Sequence, residues 1–422
     1  MSIVDDGVLV DPASYGRSGP PHEAWTKMRQ ESPVQYCKPA GFEPFWAITK
    51  YTDIIEVSRR PELFANAPGI MILDASRAGQ TTEKTFGMRT IIEMDPPDHL
   101  KFRRVTSAWF TPRAIARLDE HMAESARSLI DEWMERGECD FANDIAPRHP
   151  LRTLTSLLGL PRESEDNILH LTNQLFGSED PDMQRPDEDR DRGREELGAE
   201  LFELFSSVLE DRRKEPRDDL VSVIANAEID GAPMGPMETF GYCLIIFTAG
   251  HDTTKNALVG GLRALIEHPA ELVKLRRAAE LVVPATEEIV RWTNPVNHMR
   301  RTAIRDTEIR GQRICEGDAL ALFYASANRD EDIFDDPFAF RVDRDPNPHI
   351  GFGIGEHFCL GANVARRSIQ AFVRELAPRI ESIELTGAAE QIHSSFIVGM
   401  KKLPVRCTLR PAPAISPIGQ VG

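Results

Sequence analysis

One run of the chain constrains its fold more than any other. It reads His349-Ile350-Gly351-Phe352-Gly353-Ile354-Gly355-Glu356-His357-Phe358-Cys359-Leu360-Gly361-Ala362-Asn363-Val364-Ala365-Arg366. Glycines at 351, 353 and 355 let the backbone turn tightly and approach a flat ligand closely. Cys359 stands just before a helical run, where backbone N–H groups and the helix dipole stabilise an anion and lower a thiol pKa. Gly361 keeps the first turn bare and leaves room for a large planar group. A thiolate held this way suits iron, and a cysteine axial ligand supplies the electron push for O–O cleavage. The plain alternative is a glycine-rich turn around a buried cysteine. That reading holds for the scattered Cys37, Cys139, Cys243, Cys315 and Cys407. No CxxC pair occurs, which argues against a zinc ribbon or a thioredoxin-type site.

The rest of the chain reads as mostly helical. A 3.6-residue period runs through 97–107, 112–137, 163–177, 191–214, 236–267, 269–276 and 281–293, and a further helix is expected over 361–380. A helix at 22–31 and a β-like run at 44–48 open the chain. The stretch 296–329 is β-like, with Gly311 and Gly317 as turn signals. Short strands are expected near 382–386 and 403–409. Residues 66–93 have no sustained period, and such a long irregular segment suits a lid. The charged, proline-bearing run 177–192 reads as an exposed mobile connection. No repeat or low-complexity linker splits the chain. The expectation is α+β: one mainly α domain over 1–410 with small β-sheets, and a disordered proline-rich tail at 411–422.

Three further constellations carry chemistry. Asp252, Thr253 and Thr254 follow Gly250 inside the long apolar helix. Threonines and glycine weaken a helix locally, so a distorted, water-filled notch is expected there, suited to holding O2 and relaying protons. His251 reads as a hydrogen-bonded core histidine. Glu288 and Arg291 share a helix face at i and i+3 and can pair. His99 and Arg103, four apart, put two donors on one face that can grip a carboxylate. Asp95, ahead of Pro96 and Pro97, reads as the start of their helix.

Phe352, Gly353, Gly355, His357, Cys359, Gly361, Ala365 and Arg366 together resemble the haem-binding signature of the cytochrome P-450 family. The resemblance implies haem b between the long central helix and the cysteine-loop helix, with Cys359 as the axial ligand of its iron and Phe352, Gly353 and Gly361 against the ring. It implies that His99, Arg103, Arg301 and His357 contact the propionates. Thr253 would hydrogen-bond the iron-bound oxygen, and Asp252 would pass protons in from solvent. Glu288 and Arg291 resemble the family's ExxR pair, with Arg344 as the third member of a structural triad. The motifs span residues 40 to 407. Several linking segments, among them Gly41 to Trp46 and Thr248 to Thr254, look like the bacterial alpha-terpineol hydroxylase subfamily.

That resemblance implies a monooxygenase inserting one oxygen atom of O2 into a C–H bond of a monoterpenoid or alkyl-aromatic. The competing substrates are a steroid, a fatty acid or a polyketide. A non-catalytic haem-binding protein and a peroxide-driven enzyme are more remote. Pocket walls are expected from Ile245, Thr248, Ala249, Val296, Asn297, Met299, Phe396 and Ile397. Residues 70–92 would form the lid, and Asn297 or Thr248 would orient a hydroxyl. No reductase domain or iron–sulfur motif is attached, so electrons are expected from a separate ferredoxin and its NAD(P)H-dependent reductase. Lys101, Arg104, Arg113, Arg366 and Arg367 would form its dock. With 67 acidic against 50 basic residues and a net charge of −17, nucleic acid and anionic lipid are disfavoured partners. The start of the chain lacks a basic, apolar leader, so a cytoplasmic protein without a membrane anchor is expected, as a monomer.

Overall fold

A computed structural model describes residues 2–77, 88–161, 165–176, 180, 182 and 190–411. The middle of the expected lid, most of the charged connection at 177–192 and the tail beyond 411 lie outside the described residues. No described helix is long and apolar enough to cross a membrane.

The molecule is mainly helical with small sheets. The periodic stretches fold as Asp98–Ser107, Asp119–Arg136, Glu165–Phe176, Arg190–Lys214, Pro236–Glu267, Pro269–Arg277, Val282–Thr293 and Ala362–Leu376. Several helices were not expected from the sequence: the short Pro12–Ser18, Tyr51–Ser58, Leu220–Ala225 and Tyr324–Ala327, and the longer Arg148–Leu158. Pro147 and Pro150 hide the last of these, yet both sit at its start, where no N–H partner is required. Gly159, at φ +72°, ends it in the left-handed region. The single helix expected over 112–137 is instead a short turn at Pro112–Ile115, a 3-10 turn and the main helix.

The central helix, Pro236–Glu267, organises the rest. Pro236 opens it, and Glu238 reaches back to the Gly235 N–H at 2.8 Å. Its 32 residues span about 48 Å. The first half packs Phe240, Tyr242, Cys243, Ile246 and Phe247 into one hydrophobic cluster. The second half packs Ala257, Leu258, Val259, Leu262 and Leu265 into another. Residues 248–256 belong to neither, so a polar segment sits where the two cores meet. Gly260 and Gly261 admit the Val282–Thr293 helix closely: a Cβ on either would lie 2.5 Å from Thr293 or 2.9 Å from Ile289. The cysteine-loop helix, Ala362–Leu376, packs against Asp119–Arg136, Val282–Thr293 and the central helix.

A five-stranded sheet runs in the order Val34–Cys37, Phe45–Ile48, Ala319–Phe323, His298–Ala303, Phe64–Ala65. The second and third strands are parallel and the other pairs antiparallel. This sheet carries Arg301 opposite Leu320. A three-stranded sheet joins Ile380–Leu385 and Pro404–Leu409 to Glu138–Asp140 from far upstream.

Candidate active site

The cysteine loop is held by its own backbone. Gly353 N–H donates to the Ile350 carbonyl and Cys359 N–H to the Phe352 carbonyl, both at 2.9 Å. Gly353 and Gly355 have φ of +68° and +80°. At Gly355 a Cβ would lie 2.2 Å from the Ser58 carbonyl oxygen. Glycine is therefore required there twice, for conformation and for space. Gly355→Ala is expected to lower the unfolding free energy by about 3 kcal/mol in a urea titration. A change below about 0.5 kcal/mol would mean the loop can move away from Ser58 at little cost.

Cys359 lies deep in the protein yet keeps accessible surface, so its thiol borders an internal space. Burial pushes the thiol up from its ordinary value, while the Gly361 N–H, Arg103 and Arg366 pull it down. The expected lowering at the helix start is thus present but outweighed by desolvation. A metal cation at Sγ reverses that balance. Gly361 has no atom near the position of a Cβ. Phe358 is 40% exposed, and Arg366 lies over the Phe352 ring at 4.4 Å.

Beside the loop four nitrogen-bearing side chains converge. The His99 and His357 rings stack at 3.9 Å and 25°. His357 meets the Met94 carbonyl with one nitrogen, and its Nε2 is buried without a partner. His99 Nδ1 is buried and unpartnered as well. Arg103 donates to the Phe358 carbonyl at 2.5 Å, and Arg301 to the Arg300 carbonyl at 2.9 Å. Burial, then Arg103, holds His99 down at about 4, against the opposing pull of Asp95. Burial, His99, Arg301 and Arg103 hold His357 at about 2. Two orphaned ring nitrogens between two guanidiniums form a cradle that an acidic ligand would complete. The cradle and the thiol fit a haem with its propionates. Asp95 does not cap the helix that carries His99. Its carboxylate accepts from Asn66 and Ala67 N–H at 2.7 and 3.0 Å, and its carbonyl receives the His99 N–H.

The middle of the central helix is the second part of the site. Ala249 is exposed there, Ile245 and Thr253 are partly accessible, and Ile246, Phe247 and Thr248 are buried. An exposed alanine among mostly buried neighbours leaves open space beside that turn of the helix. The expected distortion does not break the helix. The Thr253 hydroxyl donates to the Ala249 carbonyl at 2.6 Å and Thr248 to Leu244 at 2.8 Å. His251 is a buried core histidine on the Pro147 carbonyl at 3.0 Å. Asp252 is 2% exposed and enclosed by Lys255 and Asn256. These two partners were missed in the sequence, although the i+3 and i+4 spacings on one helix were there to read.

Glu288 and Arg291 pair fully buried, at 2.7 and 2.8 Å, and Arg344 joins them at 3.1 Å. The remaining guanidinium donors reach the carbonyls of Asn328, Asp335, Asp336, Pro337 and Ala339. The triad thereby grips the segment that leads into the cysteine loop.

The pocket residues are corrected in part. Val296 bridges Ile397, and Val296, Met299 and Phe396 keep accessible surface. Asn297 is fully buried and its amide NH2 donates to Tyr15 Oη and the Ser395 carbonyl, so it ties the N-terminal helix Pro12–Ser18 to the turn before Phe396. Thr248 spends its hydroxyl on its own helix. The first part of the expected lid is anchored to the sheet, with Arg300 N–H on Ile70 and Glu43 N–H on Leu73. Of the five dock cations, Lys101 binds Asp230, Arg366 binds Glu287 and Arg367 binds Asp119. Only Arg104 and Arg113 remain exposed without an ion pair among the described residues.

A family model described as Cytochrome P450 matches residues 188–377. Cytochrome P450-terp of a Pseudomonas species is 36% identical over 413 residues, 95% of this chain and 96% of the relative. A methyl-branched lipid omega-hydroxylase of Mycobacterium tuberculosis is 35% identical over 90% of each chain. The crystal structure of CYP108D1 from Novosphingobium aromaticivorans superposes with a TM-score of 0.88 at 34% identity, covering 97% of this chain and 100% of that one.

Proposed function

The chain belongs to the cytochrome P450 family, as a haem-binding monooxygenase, and from that premise we propose that it hydroxylates a small apolar substrate, a monoterpenoid or an alkyl-aromatic. The observation that carries this is that the expected pocket residues which keep accessible surface, Ile245, Ala249, Val296, Met299 and Phe396, are all apolar, with the Thr253 hydroxyl one turn beyond Ala249 turned back onto its own helix. Of the polar groups expected to anchor a functionalised substrate, the Asn297 amide NH2 and the Thr248 hydroxyl already donate within the protein, and Asn297 as a whole is fully buried. Shape and apolar area are then what remain for recognition. The similarity to Cytochrome P450-terp points the same way. The lipid hydroxylase, nearly as similar, keeps a longer branched chain as the second reading.

Haem, when bound, supplies the activation of O2 and the oxidation of the C–H bond. The chain's own residues do the rest. Cys359 Sγ holds the iron, and His99, His357, Arg103 and Arg301 hold the propionates. Phe352, Gly353 and Gly361 accommodate the ring. Asp252 and Thr253 move protons. The residues form one catalytic unit over 1–410, acting as a cytoplasmic monomer.

Titrating the purified enzyme with terpenes, alkylbenzenes, branched fatty acids and steroids, and following the Soret band, tests the substrate class. Monoterpenoids or alkyl-aromatics are expected to shift it at the lowest concentrations. A shift confined to steroids or long lipids would overturn the reading.

Electrons come in this reading from a small acidic ferredoxin and its NAD(P)H-dependent reductase. Arg104 and Arg113 are the cations left free to meet it. Arg104→Glu should raise the KM for ferredoxin about tenfold at low salt, with the difference shrinking at high salt. An unchanged KM at low salt would place the dock elsewhere.

A further inference from the structure

Asp252 and Thr253 are neighbours in sequence, but their polar groups face opposite ways along the central helix. The Thr253 hydroxyl points one turn back, onto the Ala249 carbonyl. The Asp252 carboxylate points one turn forward. One oxygen meets the Lys255 ammonium and the other accepts from Asn256 Nδ2 at 2.9 Å. A proton on either group cannot reach the other until a side chain turns.

The forward arrangement is buried throughout. Asp252, Lys255 and Asn256 are 2%, 6% and 1% exposed. A carboxylate out of water is stable as an anion only beside its counter-ion. Lysine is rarely placed in such surroundings without a partner, so the position of Lys255 is costly unless it acts on Asp252. We propose that Lys255 is a latch on proton delivery: its ammonium, together with Asn256, holds the Asp252 carboxylate turned away from Thr253, and the pair must open for the carboxyl to serve the site. Lys255 is thus a positioning residue. The proposal rests on Asp252 and Thr253 being the proton path.

Two further features fit a latch. His251 stands one turn before Lys255, at the i, i+4 spacing that makes helix side chains neighbours. Its Nε2 is on the Pro147 carbonyl, and its Nδ1 is buried with no partner. Burial, with Lys255 adding to it, keeps that ring neutral, so Nδ1 offers a lone pair to an ammonium that has left Asp252. On the other side, Asn256 rests on Gly399, where a Cβ would lie 2.2 Å from its Oδ1. Gly399 closes the turn that carries Phe396 and Ile397. The latch therefore abuts the pocket wall.

A double-mutant cycle on the holoenzyme tests this, with Asp252→Asn, Lys255→Met and the pair. The Asp252 carboxyl band, isolated as the infrared difference between Lys255→Met and the double variant, should be displaced from the band isolated as the difference between wild type and Asp252→Asn. Asp252→Asn should slow turnover about 100-fold. Lys255→Met should reduce the solvent isotope effect on kcat at least twofold, and should change nothing in the Asp252→Asn background. An Asp252 band that does not move in Lys255→Met, or additive effects in the cycle, would overturn the latch while leaving the proton path in place. Full turnover in Asp252→Asn would remove the proton path and the latch together. If Lys255→Met does not accumulate, Lys255→Gln replaces it in the same cycle. Lys255→Arg should behave as wild type in both readouts, since it keeps the charge.

Discussion

Cys359→Ser is expected to abolish monooxygenase turnover, by at least about 1,000-fold, while the protein still folds. Serine fits the space and can keep the Gly361 N–H contact. It offers a hydroxyl of far higher pKa than a thiol, so it cannot supply the anionic sulfur that pushes electrons onto iron. The difference spectrum of the reduced carbon monoxide complex reads this directly and should lose its thiolate signature. Circular dichroism and thermal melting should stay near wild type, because no core cluster includes Cys359. The other thiols are poor substitutes. Burial pushes Cys139, Cys243 and Cys407 up to about 12 and raises Cys37 well above its ordinary value. Cys315 is exposed on the surface. A thiolate signature surviving in Cys359→Ser would therefore move the iron site to another part of the fold.

The cysteine loop was legible because it is local. Its glycines, its cysteine and its helix start lie within one short run, and their geometry follows from backbone rules. The longer helices were legible from period alone, except Arg148–Leu158, where prolines at the start resembled prolines that break a helix, while Pro12–Ser18, Tyr51–Ser58, Leu220–Ala225 and Tyr324–Ala327 are too short to show a period. The cradle was legible by half. The i, i+4 spacing placed His99 beside Arg103, but the stacking of His99 on His357 joins segments distant in the chain. Asn297 shows the limit most clearly. Val296 and Met299 beside it keep accessible surface, while the Asn297 side chain points into the protein and is used by Tyr15 and Ser395. Sequence proximity to a pocket does not fix direction. The expected dock is narrowed for a related reason. Asp230, Asp119 and Glu287 neutralise three of its cations, and all three acids lie far off in sequence. Lys255 was overlooked because a lysine on an apolar helix is ordinarily read as exposed.

Glu288→Gln should destabilise the protein and empty it of haem before it alters any selectivity. Glu288 is fully buried, and its two oxygens accept from Arg291 Nε and Nη2, Arg344 Nε, the Arg341 N–H and Asn347 Nδ2. Glutamine removes the only anion of the triad and turns an NH2 group toward donors. Two guanidiniums would then be buried without a counter-charge, at a cost of about 3–5 kcal/mol. Against a typical stability of about 5–15 kcal/mol, that is a large fraction. The damage is directional as well. Arg291 and Arg344 hold the carbonyls of 335–339, and Arg344, Asn347 and the Arg341 N–H fix 341–347 to Glu288. The cysteine loop begins at the next turn of chain. Loosening this strap frees the loop that positions Cys359. The ratio of haem absorbance to protein should fall several-fold in Glu288→Gln and stay at the wild-type value in Asp252→Asn, which carries the same chemical change in a different place. A Glu288→Gln enzyme with full haem and an unchanged melting temperature, but a new product pattern, would mean that the triad acts on the pocket and not on the scaffold.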